Sequence, residues 1–96
     1  MIISSGFKIF PSEVERVLME HSAVTECAVA SAADPKAGEV PIAYVVLGDA
    51  SVDEAVLLKF CEERLVAYKR PRRIVFRKEL PKSSVGKILR RELRVM

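Results

Sequence analysis

The chain has 96 residues, half of them hydrophobic, and a formal net charge of +3 at neutral pH. This length provides one hydrophobic core but is too short for two ordinary domains, so we predict a single domain over residues 1–96. No apolar run approaches the roughly 18 residues of a membrane helix, and the N-terminal residues lack the basic start and apolar stretch of a signal peptide. We therefore predict a cytoplasmic protein with no membrane span.

The cysteine and histidine content gives little support to a metal site. Cys27 and Cys61 lie 34 positions apart, no Cys-x-x-Cys pair is present, and the sequence holds one histidine. Isolated cysteines usually behave as small buried hydrophobic residues. We predict that both cysteines are reduced core residues, that His21 lies at the surface, and that the chain binds no metal.

Charge is divided unevenly along the chain. Residues 1–68 carry 5 Lys/Arg against 11 Asp/Glu, a net charge of −6, whereas residues 69–96 carry 11 against 2, a net charge of +9. Such asymmetry indicates a polyanionic partner for the C-terminal part, but a solvated basic face explains the charge equally well.

The first twenty residues predict a strand and a helix. Ile2 and Ile3 are typical of the end of a strand, and Gly6 interrupts that run. Residues 11–20 predict a helix because proline suits the first helical turn and apolar residues recur at spacings of three and four. These apolar residues are Val14, Val17 and Leu18.

The middle of the chain predicts an antiparallel pair of strands. Residues 24–33 and 39–47 are rich in valine and alanine, and residues 34–38 between them have the Asp, Pro and Gly typical of a turn. A second helix is predicted after Ser51, its expected N-cap, with acidic residues in its first turn. The apolar positions expected for this helix are Val56, Phe60 and Leu65.

The last third predicts a strand over residues 74–76, a loop over residues 80–86 and a final helix over residues 87–95. The mixed order of strands and helices predicts an α+β fold. We expect a small sheet of antiparallel or mixed strands flanked by about three helices.

The loop before the final helix is the most informative stretch for chemistry. Lys87 stands at the predicted helix start, where the positive end of the helix dipole favours an anion rather than a lysine, and Lys82 lies nearby. Gly86 lets the backbone turn closely and leaves Lys87 free to extend. A phosphate or carboxylate site at Lys87 is one interpretation, and a plain exposed lysine is the other.

Two familiar constellations are excluded. The segment around Lys87 is not a P-loop, because the first glycine of G-x-x-x-x-G-K would fall at Pro81 and Ile88 stands where a magnesium-binding Ser or Thr is required. A single histidine gives no convincing Ser-His-Asp or Cys-His arrangement. The chain shows no complete active site of its own.

Four ordered motifs nevertheless resemble one family. Residues 80–93 read LPKSSVGKILRREL, which resembles the C-terminal signature of the adenylate-forming superfamily. Residues 5–15, SGFKIFPSEVE, are similar to the segment that follows the interdomain hinge of that superfamily. The turn and strand over residues 34–47 resemble its central hairpin, and YKRP at residues 68–71 its pre-strand turn. The resemblance covers nearly the whole chain and is closest to medium-chain or aryl acid CoA ligases.

This resemblance implies the C-terminal lid domain of an AMP-forming acyl-CoA synthetase. Its large N-terminal adenylation domain is absent from the 96 residues, so we expect the fragment alone to be inactive. The implied substrates are a carboxylic acid, ATP and CoA, with Mg²⁺ bound by the absent domain together with ATP. No nucleic-acid partner is expected.

The resemblance also implies roles for individual residues. Lys87 matches the lysine that serves adenylate formation, and Gly86 positions its loop. Ser5, Gly6, Phe7 and Lys8 are implied to bind CoA after the domain rotates, with Arg70, Arg72 and Arg73 as weaker candidates for its nucleotide. Luciferase-like members carry a second functional lysine where this chain has Ser5, so that activity is disfavoured.

Two readings from other classes remain open. A small nucleic-acid-binding module would use the basic residues 69–94, although low aromatic content gives base stacking little support. An inert interaction domain that retains the lid fold is the second alternative.

Overall fold

A five-stranded sheet forms the framework of the chain in the computed structural model, which describes residues 1–48 and 51–82. The predicted α+β class is confirmed. The elements in chain order are β1 (Ile2–Ser4), β2 (Phe7–Ile9), α1 (Pro11–Met19), β3 (Val24–Asp34), β4 (Gly38–Leu47), α2 (Glu54–Glu62), a 3-10 helix (Ala67–Lys69) and β5 (Arg73–Phe76).

Strand β4 lies at the centre of the sheet. One edge pairs with β3 in antiparallel register along its whole length, from Asp34 opposite Gly38 to Val24 opposite Leu47. The other edge pairs with β1 at its first residue and with β5, in parallel, over residues 42–45. Strand β2 extends the sheet beyond β1. The sheet is therefore mixed, as predicted.

Helix α1 confirms the helix predicted over residues 11–20 and ends at Met19. Pro11 occupies the first turn, where its missing N–H costs no intrahelical bond, and Glu13 places a carboxylate near the positive helix end. Val14 and Leu18, one turn apart, are buried and pack with α2 and one face of the sheet in the main core. The spacing of apolar residues was sufficient to predict this element.

The predicted strand pair β3–β4 is also confirmed, with one irregularity. The register shifts between Val24 and Glu26, so Thr25 is an extra residue in β3, and its hydroxyl donates to the carbonyl of Val46 at 3.0 Å. This bulge changes the phase of the strand. Val24 therefore shares the helix-covered face with Cys27, which a strict two-residue alternation would not allow.

The opposite face of the sheet carries a second cluster of apolar residues. It is called the outer cluster here and consists of Ala28, Ala30, Val40, Ile42, Tyr44 and Leu80. Leu80 follows β5 and brings the last part of the described chain back over the sheet.

Helix α2 differs from its prediction in both its start and its buried face. Asp53, not Ser51, is the N-cap, and its carboxylate accepts a hydrogen bond from the N–H of Val56 at 3.0 Å. Leu57 is fully buried, whereas Val56 is 45% exposed. Six of the nine residues of α2 are apolar, so spacing alone left the phase of the helix undetermined, and packing against the sheet selected Leu57 and Cys61.

Other expectations fare differently. Strand 74–76 is confirmed within β5, and Cys27 and Cys61 are buried with no disulfide, as predicted. His21, expected at the surface, is partly exposed; its Nδ1 accepts a hydrogen bond from the N–H of Ala23 at 3.1 Å, and its ring packs edge-on against Phe60. Strand β2 and the 3-10 helix were not predicted. The predicted helix 87–95 and most of the loop before it lie outside the described residues.

Candidate functional site

The hairpin between β1 and β2 turns through only two residues. Ser4 pairs with Phe7, and Ser5 and Gly6 between them have φ angles of 49° and 83°. Positive φ at both central positions is the geometry that matches the twist of the flanking strands, and glycine adopts it without strain. The N–H of Ser5 donates to the carbonyl of Ala37 at 2.8 Å. This bond ties the hairpin tip to the turn between β3 and β4.

Gly6 faces open space. Among the described residues, no heavy atom other than those of its chain neighbours lies within 4 Å of a Cβ built at this position. Its positive φ explains why glycine suits the turn, but packing within the domain does not. The backbone of Gly6 is therefore accessible to a ligand or to another protein surface.

Phe7 stacks on Tyr68 next to this tip. The ring centroids are 4.5 Å apart and the planes are inclined by 19°, while Phe7 stays 52% exposed and Tyr68 39% exposed. Sequence analysis placed Phe7 in the site but gave Tyr68 no role there. The two residues lie 61 positions apart, and no spacing rule links them. Together they form an exposed aromatic surface, called the aromatic platform below.

An ion pair holds the 3-10 helix that carries Tyr68. Lys69 Nζ lies 2.8 Å from Glu13 Oε1 on α1. The hydrogen bond to Glu13 raises the pKa of the Lys69 amine above its ordinary value, so this lysine stays protonated at neutral pH. The platform is thus braced against the first helix.

Asp34 organises the neighbouring turn. One of its carboxylate oxygens accepts hydrogen bonds from the N–H of Lys36 at 2.8 Å and of Ala37 at 2.9 Å. The bonds from Ala37 and Lys36, together with the charge of Arg72, lower the pKa of Asp34. The turn that supports Ser5 is therefore stabilised by an ionised carboxylate.

The basic residues suggested for the CoA nucleotide have different environments. Lys8 is exposed on β2, opposite Ile3. Arg70 is committed to structure, because its guanidinium donates to the carbonyls of Leu65 at 2.8 Å and Glu62 at 3.1 Å beyond the end of α2. Arg73 lies 3.8 Å from Glu54, whereas Arg72 remains exposed. Lys8 and Arg72 are the better placed cations.

Lys87 and Gly86 lie outside the described residues, so their roles stay predictions. The chain just before them is fixed. Leu80 is buried in the outer cluster, and Lys82 Nζ lies 2.5 Å from Glu26 Oε1.

Two further properties bear on the chemistry of the site. Within residues 1–48 and 51–82, no group of three or more His, Cys, Asp or Glu side chains is arranged to hold a metal ion. Burial raises the pKa of the Cys61 thiol to about 11, so this cysteine is a neutral core residue rather than a nucleophile.

In the part of the chain that the structure describes, no helix is long and apolar enough to cross a membrane.

Two solved structures of CoA synthetases share this fold. The o-succinylbenzoate CoA synthetase of Bacillus subtilis, bound to a product analogue, superposes with a TM-score of 0.92 at 46% identity, over 96% of this chain and 19% of that protein. A fatty acyl CoA synthetase of Mycobacterium tuberculosis superposes with a TM-score of 0.90 at 36% identity, over 96% of this chain and 19% of that one.

Sequence comparison leads to the same group. The family model described as AMP-binding enzyme C-terminal domain matches residues 13–87. A long-chain-fatty-acid–CoA ligase of Salmonella typhimurium is 47% identical over 94 residues, which are 98% of this chain and 17% of the relative. A 2-succinylbenzoate–CoA ligase of Bacillus cereus is also 47% identical over 94 residues, 98% of this chain and 19% of the relative. The chain belongs to the family of AMP-binding enzyme C-terminal domains, and it spans less than one fifth of the length of these curated relatives.

Proposed function

We propose that this chain is the C-terminal lid domain of an AMP-forming acid–CoA ligase. The observation that carries the proposal is the family match, which runs from the first helix to Lys87. The names of the relatives, which are CoA ligases for a long-chain fatty acid and for 2-succinylbenzoate, support the same activity. The complete enzyme acts in the cytoplasm on a carboxylic acid, ATP and CoA.

The reaction proceeds in two half-reactions. A carboxylate oxygen of the acid attacks the α-phosphorus of ATP, the bond to the β-phosphate breaks, and acyl-adenylate and pyrophosphate form. The CoA sulfur, having lost its proton, then attacks the acyl carbon, and AMP leaves with the electron pair of the broken C–O bond. An upstream adenylation domain holds the acid and ATP, and this domain closes on it.

Lys87 serves the first half-reaction. Negative charge on the carboxylate and α-phosphate oxygens must be brought together, and an ammonium group in a closed, poorly hydrated site stabilises the transition state of that step. Its role is electrostatic and positional rather than proton transfer. Gly86 gives the loop the backbone freedom to present the lysine.

The hairpin tip serves the second half-reaction after the domain rotates. Gly6 leaves room for the pantetheine arm because no side chain stands there, and Ser5 and Phe7 line the same passage. The aromatic platform gives the passage an apolar wall fixed by Lys69 and Glu13. Lys8 is available to a CoA phosphate.

Magnesium belongs with ATP in the upstream domain. Such sites use one or two carboxylates together with the phosphates of the substrate. Within residues 1–48 and 51–82, no group of three or more His, Cys, Asp or Glu side chains could hold such an ion, and we assign no magnesium ligand to this part of the chain.

Replacing Lys87 in the full-length enzyme tests the proposal. Lys87→Ala should lower acid-dependent exchange of pyrophosphate into ATP about a hundredfold, which is roughly 3 kcal/mol of transition-state stabilisation. Thioester formation from supplied acyl-adenylate should be unchanged. The acids to use are a long-chain fatty acid and 2-succinylbenzoate.

Lys59→Ala is the matched control, because Lys59 is an exposed lysine on α2 far along the chain from the signature loop. It should leave both half-reactions unaffected. Equal loss of both half-reactions in Lys87→Ala would contradict the role assigned to Lys87.

A further inference from the structure

The chain is fastened to the sheet a few residues before Lys87. Leu80 is 4% exposed and packs in the outer cluster, and Lys82 pairs with Glu26 on β3 at 2.5 Å. Both charged side chains are partly screened from solvent, with 40% of Lys82 and 33% of Glu26 exposed. These two attachments, one apolar and one ionic, form what we call the loop anchor.

The sequence of β3 explains why the anchor lies where it does. Past the bulge at Thr25, alternate residues of β3 face opposite sides of the sheet, and Ala28 and Ala30 belong to the outer cluster. Glu26 precedes Ala28 by two residues and therefore lies on the same face. The small side chains of these alanines leave room for Leu80. This alternation places the Glu26 carboxylate on the same face as the apolar residues that pack with Leu80.

The anchor limits where Lys87 can go. Lys87 follows Lys82 by five residues, and five residues span at most about 18 Å when fully extended. A lysine that acts by electrostatic stabilisation loses effect when it is displaced by an ångström or more. The loop anchor fixes the point from which this covalent reach is measured, and it thereby bounds the volume in which Lys87 can lie.

We infer that Glu26 is a positioning residue for adenylate formation, which it supports by holding Lys82 and thereby restricting the segment that carries Lys87. The inference rests on the proposed function of Lys87. Glu26 touches neither substrate nor the reacting atoms in this scheme. Because the pair lies within one domain, it moves with that domain, and the CoA half-reaction, which uses the hairpin tip, does not depend on it.

A charge swap in the full-length enzyme tests this inference. Glu26→Lys and Lys82→Glu each replace an attractive pair with a repulsive one, and each should lower the rate of pyrophosphate exchange about fivefold, the scale of a partly exposed ion pair. The double variant restores an attractive pair with its ends exchanged, and should return the rate to within about twofold of the parent. Thioester formation from supplied acyl-adenylate should stay constant in all three.

Two controls separate positioning from general stability. Glu63→Lys disrupts the exposed ion pair between Glu63 and its neighbour Arg64, in which Glu63 Oε1 lies 3.6 Å from Arg64 Nη1. This variant should leave pyrophosphate exchange unchanged. Glu26→Gln keeps the volume of the side chain, and should reproduce the direction of the Glu26→Lys effect even where the reversed charge prevents folding. Melting temperatures report whether each variant is folded.

The inference is overturned if the double variant is no better than the singles, because Lys82 would then act directly on a substrate phosphate. Equal losses in both half-reactions would overturn it as well, since they indicate a purely structural effect. Its failure is distinguishable from that of the proposed function. If Lys87→Ala abolishes exchange while the Glu26 variants leave it intact, only the positioning role is wrong.

Discussion

At the scale of single residues, Gly6 stands out because packing within the described part of the domain does not require a glycine at this position. The two-residue turn requires a positive φ, which asparagine also tolerates, and the space beside the Cα is empty. A substitution here carries the strain of a positive φ, which is smallest for asparagine, and the new side chain would project into the passage proposed for the pantetheine arm.

Gly6→Asn in the full-length enzyme should therefore separate the two half-reactions. We expect CoA transfer from supplied acyl-adenylate to slow by at least about tenfold, because displacement of the thiol by an ångström is costly in rate. Pyrophosphate exchange should change by less than about twofold, and the melting temperature should be nearly that of the parent enzyme. A variant that loses adenylation more than CoA transfer would place Gly6 in the wrong half-reaction.

The sequence predicted the hairpin residues of the candidate site because they are contiguous. Ser5, Gly6, Phe7 and Lys8 lie together in the turn and the start of β2, and their binding of CoA stays a prediction. Tyr68 could not be predicted, because its contact with Phe7 depends on how the 3-10 helix packs against α1 through Lys69. The contact suggested between Arg70 and the CoA nucleotide stays a prediction, and the hydrogen bonds of Arg70 at the end of α2 are visible only once the chain has folded.

At the scale of elements, the two helices show when a pattern is sufficient. Helix α1 has apolar residues on one stripe and charged residues elsewhere, so its buried face follows from the sequence. Helix α2 has six apolar residues among nine, and they are not confined to one stripe. Packing against the sheet therefore determines which of them are buried.

A pair of truncations on α2 checks that phase. Leu57→Ala in the 96-residue chain should lower the free energy of unfolding by about 3 kcal/mol, because it leaves a cavity beside the main core. Val56→Ala, at a position 45% exposed, should change it by less than about 0.5 kcal/mol. Urea denaturation followed by circular dichroism measures both, and comparable losses would show that the buried face is assigned wrongly.

Two glutamates on the helices accept hydrogen bonds from backbone N–H groups of the strands, and local propensity does not reveal these contacts. Glu15 accepts a hydrogen bond from the N–H of Val29 at 2.8 Å, and Glu54 one from the N–H of Ile74 at 2.9 Å. Each carboxylate comes from a helix and binds the backbone of a strand. Helical spacing identified both residues only as polar, since the identity of a tertiary partner is not encoded in the pattern of one element.

At the scale of the whole molecule, the described part of the basic C-terminal stretch, residues 69–82, is less available than its composition indicates. Within residues 69–82, several cations already have partners in the domain. Lys69 pairs with Glu13, Lys82 with Glu26 and Arg73 with Glu54, while Arg70 binds backbone carbonyls. These residues do not present a continuous surface that could follow a phosphate backbone.

Filter binding with random double-stranded DNA tests the rival nucleic-acid role. We expect no saturable binding below about 100 µM at physiological salt, the weak end of non-specific association. Micromolar binding that falls steeply with added salt would favour the rival. The other alternative, an inert lid, predicts that Lys87→Ala leaves AMP release by the complete enzyme unchanged.

The fold class was predictable from the order of elements, but the position of β5 was not. Its parallel pairing beside β4 uses the part of the edge that β1 leaves unoccupied. Such an arrangement depends on the lengths of β1 and β4 together, which no single segment specifies.

Strand β1 joins the sheet from Ile2 onwards. Ile2 is buried, the N–H of Ile3 is held by Glu39, and Ser4 pairs with β4. In mechanical terms, this attachment leaves no slack between Ile2 and the sheet. A torque transmitted through the preceding chain would load the hydrogen bonds of β1 and pass directly to β4. The hairpin tip and the loop anchor would then rotate together as one rigid body. The rotation that withdraws the loop anchor from the adenylate would therefore bring the hairpin tip towards it.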